Sequence, residues 1–545
     1  MAMRSPPQPL RYLAWLIAFL LFGLFFSLYA FFAPPGITWS NDAADSAELA
    51  TAVRSWGVAH PPGYPVYILF GKVFELIPAG DAAHRLALMS AFFGAVSVSL
   101  AYLLGRLFCQ VAFNASKEQA ARGPAQDSQA GLSALLPELG PALAALTLGF
   151  SPIFWGQAIV PEVYALNAFF VTGVGWLLLS WRLEGDSAKR ARSKRPLLAA
   201  FLFGLGMGNH FTLAVAVLPL AMVALWRAFR SEGVRWAHMT GALALGLAVY
   251  VYLPIAAGQN PPVNWGDAST FSGFMWQVSG APYQSYIFGV QSSIVDDRVV
   301  DWMKRIVDQF QGVGVALALV GAWRLWAFDR WLTGATLFSF FALSIYATFY
   351  LTHDSYVFLI PAVIIGALYI AAGSQHVLRQ ITSSGLDAPK KTASILGAVV
   401  AMVLLVPLLS VFRFSDEYSL RQDSAARAYA PHVVSQLPAG AIVLADSDQR
   451  LFSLWYHRYV TEPDATHIVV SRSLLQFEWY RRTLSARYPE LEMQGLGGDF
   501  RGVLRAFVKK NIDAKPVLSV IDDPDLRELY AMRQEGPLFR LVPKS

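Results

Sequence analysis

Ten apolar runs, most of them close to the roughly 20 residues that an α-helix needs to cross a bilayer, occupy the first three quarters of the chain. They fall at about 11–32, 84–107, 139–156, 163–181, 197–227, 238–257, 312–328, 331–350, 355–373 and 393–412. Hydrocarbon offers no hydrogen-bond partner, so a segment exposed to it must satisfy its own backbone, as a helix does. The 197–227 run is interrupted by Gly204, Gly206, Gly208 and Asn209 and is long for a single crossing. It reads as two short helices meeting near His210, which brings the expected count to eleven crossings. The first run lacks a small-residue cleavage site before a polar region and is expected to stay in place rather than be cleaved as a signal peptide.

Charge divides the chain. Hydrophobic residues make up 55% of the 545 and charged residues 15%, which excludes a disordered chain and argues against an ordinary soluble enzyme. Residues 413–545 hold 35 of the charged positions, a density typical of soluble proteins, whereas residues 1–412 are charge-poor. The expected organisation is a transmembrane domain over 1–412, with outer loops 33–83 and 258–311, followed by a soluble region over 413–545. In that region GAIVLADS and THIVVS read as strands, and QRLFSLWYHRYV and LLQFEWYRRTLSARY as helices. Such alternation favours a parallel sheet. Asp446 and Asp448 close the first strand, where an Asp either caps the next helix or binds ligand.

The net charge of +6 comes from basic residues in loops between apolar runs, so topology explains it better than nucleic acid does. With the N-terminus in the cytoplasm and eleven crossings, inner segments carry 19 cations, among them Arg4, Arg11, Lys117, Arg122, the cluster 182–195, Arg227, Arg230, Arg235, Lys390 and Lys391. Outer segments carry six: Arg54, Lys72, Arg85, Arg298, Lys304 and Arg305. This split places residues 413–545 outside the cytoplasm.

Polar residues gather on the same outer side. Asp42, Asp45 and Glu48 lie within seven residues of the first loop. On a helix starting near Ser46, Asp45 is the N-cap and Glu48 falls in the first turn, so a capped surface helix competes with an acid–base cluster. Glu162 and Tyr164 open the fourth run, and Asn209 and His210 mark the break in the fifth. Asn264, Trp265 and Asp267 lie in NPPVNWGD, and His353 and Asp354 join two runs in LTHDSY. Polar groups near membrane depth are costly and usually face a cavity. Five outer connections carrying such groups therefore point to one shared site. Lys72 and Arg85 break the charge rule, either snorkelling at the interface or holding an anionic headgroup.

The chain contains no Walker A, GxSxG, HExxH or dinucleotide motif. Its single cysteine, Cys109, rules out an intrachain disulfide. A transporter or lipid flippase is the rival reading, but the chain has no inverted repeat or paired broken helices to support it.

The stretch DSAELATAVRSWGVAHPPGYPVYILFGKVFELIPAGDAAHRLALMSAFFGAVSVSLAYLLGRLF resembles the signature of glycosyltransferase family 117, whose vertebrate member is an endoplasmic-reticulum protein O-mannosyltransferase. FWGQAIVPEVYALN, GLGMGNHFTL, YLPIAAGQNPPVNWGD and SLWY resemble further family segments. The resemblance implies a polytopic GT-C-like α-helical membrane fold with a C-terminal α/β domain. It also implies an acid in the first outer loop and a sugar donor carried on polyprenyl phosphate. Asp45 matches the loop acid and Glu48 the family's following Glu, with Ala47 where Gly is expected. The implied reaction moves a mannose-like hexose to a hydroxyl, on Ser or Thr of a protein or on a glycan. Asp45 would be the base, and Lys72 or Arg85 would lie at the donor phosphate. His60 lies in the same stretch and joins the candidate substrate-binding residues. This scheme requires no cofactor and leaves a divalent metal open. The expected setting is a bacterial inner membrane or the endoplasmic reticulum.

Overall fold

The structure is a computed structural model and describes residues 8–113, 130–226, 236–383, 409–413 and 418–544. Helix α1 (Gln8–Phe32) is followed by two short helices, α2 (Ser46–Ser55) and α3 (Pro65–Phe74), and by the long α4 (Ala82–Phe113). Among the described residues, seven helices are long and apolar enough to cross a membrane. The number is eight if the bent pair Leu135–Gly149 and Pro152–Ala158 counts as one span. Arg195–Met207 and Thr212–Leu225 are shorter apolar helices separated at His210, as the glycine-broken run predicts. The 393–412 run lies, apart from its final residues, outside the described residues, and so do Arg4, Lys117, Arg122, Arg227, Arg230, Arg235, Lys390 and Lys391.

One expected boundary shifts. The helix containing the 312–328 run begins at Val295 and is broken at Gln311, where φ is 54°. Its first half is amphipathic, with Val299, Val300, Met303 and Val307 exposed. Such a helix suits the membrane interface rather than a loop. The second half packs on Ile360–Ser383 through two glycines. A Cβ on Gly321 would lie 1.9 Å from the Tyr369 carbonyl oxygen, and one on Gly373 would lie 1.9 Å from that of Leu317. Only glycine permits this approach, the packing favoured between helices in lipid.

The C-terminal region forms a five-stranded sheet in the order β2-β1-β3-β5-β4. Strands β1 (Ile442–Ala445), β2 (Ile468–Ser471) and β3 (Val517–Ser519) are parallel, and β4 (Tyr530–Glu535) and β5 (Leu538–Pro543) form an antiparallel hairpin. β1, β2 and β3 are buried along their lengths, as expected for parallel strands covered on both faces. This region rests on the two segments 33–83 and 258–311. Trp39 donates from Nε1 to the Gln449 carbonyl at 3.2 Å, and Arg487 donates to the Asn260 carbonyl at 2.8 Å. The end of the helix bundle that carries the conspicuous polar residues is therefore the end that the sheet region covers.

Candidate active site

The site begins at the first turn of α2. Asp45 occupies the N-cap position, but its side chain accepts no capping hydrogen bond, so the carboxylate is not consumed by the helix. Ser46 fixes the turn instead, donating from Oγ to the Thr38 carbonyl at 2.8 Å. α2 ends at Trp56, in the left-handed region at φ 53°. A Cβ on the next residue, Gly57, would lie 2.6 Å from the Val263 carbonyl oxygen. That close approach lets Val58 N–H bond Val263 at 2.8 Å and Trp265 N–H bond Val58 at 3.1 Å. The chain thus turns back along α2 and brings His60 beside Glu48.

Glu48 is fully buried and clamps His60 twice. Its Oε1 accepts from the His60 backbone N–H at 2.8 Å, and its Oε2 pairs with His60 Nδ1 at 2.5 Å. The other ring nitrogen, Nε2, lies 3.6 Å from Asp45 Oδ2. Asp45 alone of the three is substantially open, with 33% of its side chain exposed. Burial opposes charge on the imidazole, but the Glu48 and Asp45 carboxylates outweigh it and raise the His60 pKa to about 10. Burial pushes Asp45 up to about 7: His60 opposes the shift, and the carboxylates of Glu48, Asp448 and Asp354 reinforce it. The result is an imidazole whose protonated form is favoured by two carboxylates, beside a carboxylate whose pKa is raised toward neutrality.

Around this trio stand most of the residues singled out from the sequence. Glu162 is buried, and desolvation followed by the Asp45 charge raises its pKa well above the usual carboxyl range. Burial lowers the His210 pKa to about 3. Its Nδ1 accepts from the Thr212 backbone N–H at 3.3 Å, and its ring packs on Tyr164 and Phe358. Trp265 and Tyr64 flank the His60 ring, with centroids at 6.2 and 5.0 Å. Asp42 accepts from the Tyr356 hydroxyl and lies 3.7 Å from His353 Nδ1. Asp354 acts on both Asp45 and Glu162. Four of the residues singled out from the sequence carry buried atoms with no hydrogen-bond partner among the described residues: Glu162 Oε1, Asn209 Oδ1, Asn264 Oδ1 and Trp265 Nε1. Buried polar atoms are seldom left unbonded in native proteins. Asp267 differs, because Arg482 of the sheet region takes its carboxylate at 3.2 Å.

Lys72 and Arg85 stand apart. Lys72 bonds the Arg54 carbonyl at 3.0 Å and Glu75 at 2.8 Å, and lies over the Trp56 ring. This is the far end of the ten-residue α2, about 15 Å of helix from Asp45 at 1.5 Å per residue. Arg85 spends three donors on the carbonyls of Ala79, Glu75 and Gly80.

Two contributors were not placed in the site by sequence reasoning. Asp448, in the first turn of the Asp448–Tyr456 helix, projects the charge of the sheet region onto Asp45. Arg305 stacks 4.0 Å over the Tyr356 ring, next to Asp42. The strand-ending ADSD and the tyrosine of LTHDSY were visible signals, but their partners lie hundreds of residues away.

Asp45, Glu48 and His60 could in principle hold a cation, since their ligand atoms lie within 4.8 Å of one another. Each Glu48 oxygen already accepts one bond from His60 and keeps a lone pair, so all three side chains retain a ligand atom. The imidazole is hydrogen-bonded to Glu48 and lies within ion-pair distance of Asp45, at 3.6 Å.

Comparison with known proteins agrees with this architecture. Residues 45–233 match the family described as the protein O-mannosyl-transferase TMEM260 N-terminal domain, bearing out the resemblance read from the first outer loop. The protein O-mannosyl-transferase TMEM260 of Mus musculus is 25% identical over 93% of this chain and 72% of its own length. The corresponding protein of Dictyostelium discoideum is 23% identical over 93% of this chain and 64% of its own length. Among solved structures, ArnT from Cupriavidus metallidurans bound to undecaprenyl phosphate superposes with a TM-score of 0.53 at 13% identity, covering 98% of both chains. The fold is that of a GT-C membrane glycosyltransferase with a C-terminal α/β region.

Proposed function

We propose that this relative of the protein O-mannosyl-transferases moves a mannose-like hexose from a polyprenyl-phosphate donor to a hydroxyl of Ser or Thr in a protein, on the extracytoplasmic face. The observation that carries the reading is Asp45: open to the outside, not used as a cap, and titrating near 7 beside His60. A general base works best with a pKa near the working pH. In the proposed step Asp45 takes the acceptor hydroxyl proton as that oxygen bonds to the anomeric carbon from one face. The bond from that carbon to the phosphate oxygen breaks on the other face, and polyprenyl phosphate leaves with the electron pair. The sugar configuration therefore inverts. His60, held by Glu48, keeps Asp45 oriented and supplies the adjacent positive charge. Glu162 Oε1, Asn264 Oδ1 and Trp265 Nε1, unpaired among the described residues, are suited to bond sugar hydroxyls.

The phosphate role moves from Lys72 and Arg85, which are committed elsewhere, to Arg305. Its guanidinium makes no hydrogen bond or ion pair among the described residues and lies beside the Tyr356–Asp42 pair. Arg suits phosphate through its forked donors. The similarity of the fold to a protein solved with undecaprenyl phosphate supports a donor of this class.

The deciding experiment incubates purified protein with labelled polyprenyl-phosphate mannose and a Ser/Thr-rich peptide. Radiolabel on the peptide with the α/β configuration inverted is expected. Absence of transfer to any hydroxyl acceptor from any polyprenyl-phosphate hexose would overturn the reading.

A further inference from the structure

A second cleft, of about 600 Å³, lies at the opposite end of α2 from Asp45, in the seam between the membrane helices and the C-terminal region. Its wall includes Ile37, Arg54, Asp81, Arg85, Arg427 and His457. Three guanidiniums thus face one carboxylate. Asp81 is shared: its Oδ1 accepts the His84 backbone N–H at 2.8 Å, and Arg427 is the guanidinium whose charge acts on it. Burial lowers the His457 pKa, which leaves that ring neutral. Arg85 is locked in place by its three carbonyl bonds. Arg54 and Arg427 make no hydrogen bond or salt bridge through their guanidiniums among the described residues, and both side chains are exposed. The cleft is cationic, and part of its donor capacity is unspent.

Its depth is set by the chain. Ile37 follows the end of α1 by five residues, and Arg85 sits in the first turn of α4. Both are long apolar helices, so the cleft lies where spans emerge, at the level of lipid headgroups. Beside it, α3 and the turn after it expose Leu69, Val73 and Leu76, and Trp56 is half exposed. An aromatic ring at this level is typical of the membrane interface. Lys72 joins the two parts, since it lies over Trp56 and bonds the Arg54 carbonyl.

We propose that this cleft holds the phosphate of a membrane lipid, clasped between Arg54 on α2 and Arg427 on the C-terminal side, with its chains along the apolar face of α3. The site does not depend on the transferase reading. Its clasping residue Arg54 is nine residues along α2 from Asp45, about 14 Å of helix, which separates this phosphate from the leaving group at Asp45. Because Arg54 and Arg427 come from the two sides of the seam, the lipid would fasten the C-terminal region in its position over the site. Two lipids offer the required chemistry: a bulk anionic phospholipid and polyprenyl phosphate itself.

The test delipidates the purified full chain and measures retention of phosphatidylglycerol, phosphatidylcholine and polyprenyl phosphate by native mass spectrometry. Retention of phosphatidylglycerol or polyprenyl phosphate well above phosphatidylcholine is expected. The double variant Arg54→Gln with Arg427→Gln should lower it roughly tenfold or more, in line with the usual contribution of each surface cation to anionic-lipid binding. Arg427→Lys should keep most of it. Preference for phosphatidylglycerol assigns the site to bulk lipid, and preference for polyprenyl phosphate assigns it to the carrier. Equal retention of phosphatidylcholine, or undiminished anionic-lipid retention in a double variant with wild-type melting temperature, overturns the proposal. Arg54→Gln alone, an exposed substitution, covers the case in which the double variant fails to fold.

Discussion

Two clusters among the described residues gather several carboxylates around a central cation, with Arg501 adding a second to Asp525 in one of them, and they behave in opposite ways. At the C-terminal edge of the parallel strands, Arg472 reaches Asp523 at 2.5 Å, Asp525 at 2.9 Å and Asp446 at 3.3 Å. At the start of α2, His60 serves Glu48 at 2.5 Å and Asp45 at 3.6 Å. A guanidinium is always charged and carries five donors, enough to satisfy several carboxylates at once. An imidazolium carries two, and Glu48 has taken one of them outright. Asp45 is left partly desolvated and only loosely paired, and its pKa rises accordingly. The first cluster fills the crevice where open parallel sheets commonly bind ligand and turns it into structure. The second keeps one carboxylate available for chemistry.

The contrast is sharpest where each cation or base is removed. Arg472→Ala should cost about 3–5 kcal/mol of stability, because it strands Asp523, which is fully buried, without its counterion. Thermal or denaturant unfolding checks this. A loss below about 1 kcal/mol, the range of a surface pair, would erase the distinction between the clusters.

Asp45→Asn should leave unfolding nearly unchanged, because Asp45 makes no capping bond, and lower turnover by about 10²-fold or more, the usual contribution of a general base. Near-normal turnover in a folded variant would move the base elsewhere in the cluster.

Glu48→Gln is expected to act through His60. An amide cannot accept the Nδ1 proton as a carboxylate does, so the imidazole loses the partner that holds its charge. Asp45 then loses both its neighbouring positive charge and the smaller upward push of the Glu48 carboxylate, and with the larger effect removed its pKa climbs further. The acidic limb of the pH–rate profile should move up by about one unit, lowering turnover at pH 7 roughly fivefold. A fall in rate with no shift of the limb would make Glu48 a purely structural group.

In the wild type, the rate should rise with pH toward 7 and level off above it. Asp45 has a raised pKa, so its basic form is lost as pH falls through about 7. A rate flat down to pH 5 contradicts this assignment. Asp448→Asn should have the smallest effect, removing one of the charges that raise Asp45 and moving the limb down by a fraction of a unit. An unchanged limb would mean that the C-terminal region covers the site without tuning it.

Much of the architecture was legible beforehand. The break at His210 followed from glycines interrupting an apolar run, and α2 begins at Ser46 where the cap pattern predicts it. The alternating strands and helices after residue 440 form the expected parallel core. The site was legible as a set of residues but not as an arrangement. Asp45 looked equally like a helix cap, and only its missing capping bond separates the two readings. Lys72 and Arg85 looked like phosphate contacts because unpaired outer cations suggest anions. The structure spends Arg85 on backbone carbonyls, and Lys72 on Glu75 and the Arg54 carbonyl, at the other end of the helix.

By itself the sequence determined the properties that depend on near neighbours along the chain: which segments are apolar enough for a bilayer, where helices begin and break, and which short stretch carries the transferase signature. The tertiary structure decided which charges meet. Glu48 and His60 are 12 residues apart and face each other only because Gly57 lets the chain fold back against Val263. Asp448 reaches Asp45 only because the sheet region docks on α2. Protonation is set by burial and by the distance between charges, and both arise when separate segments pack together.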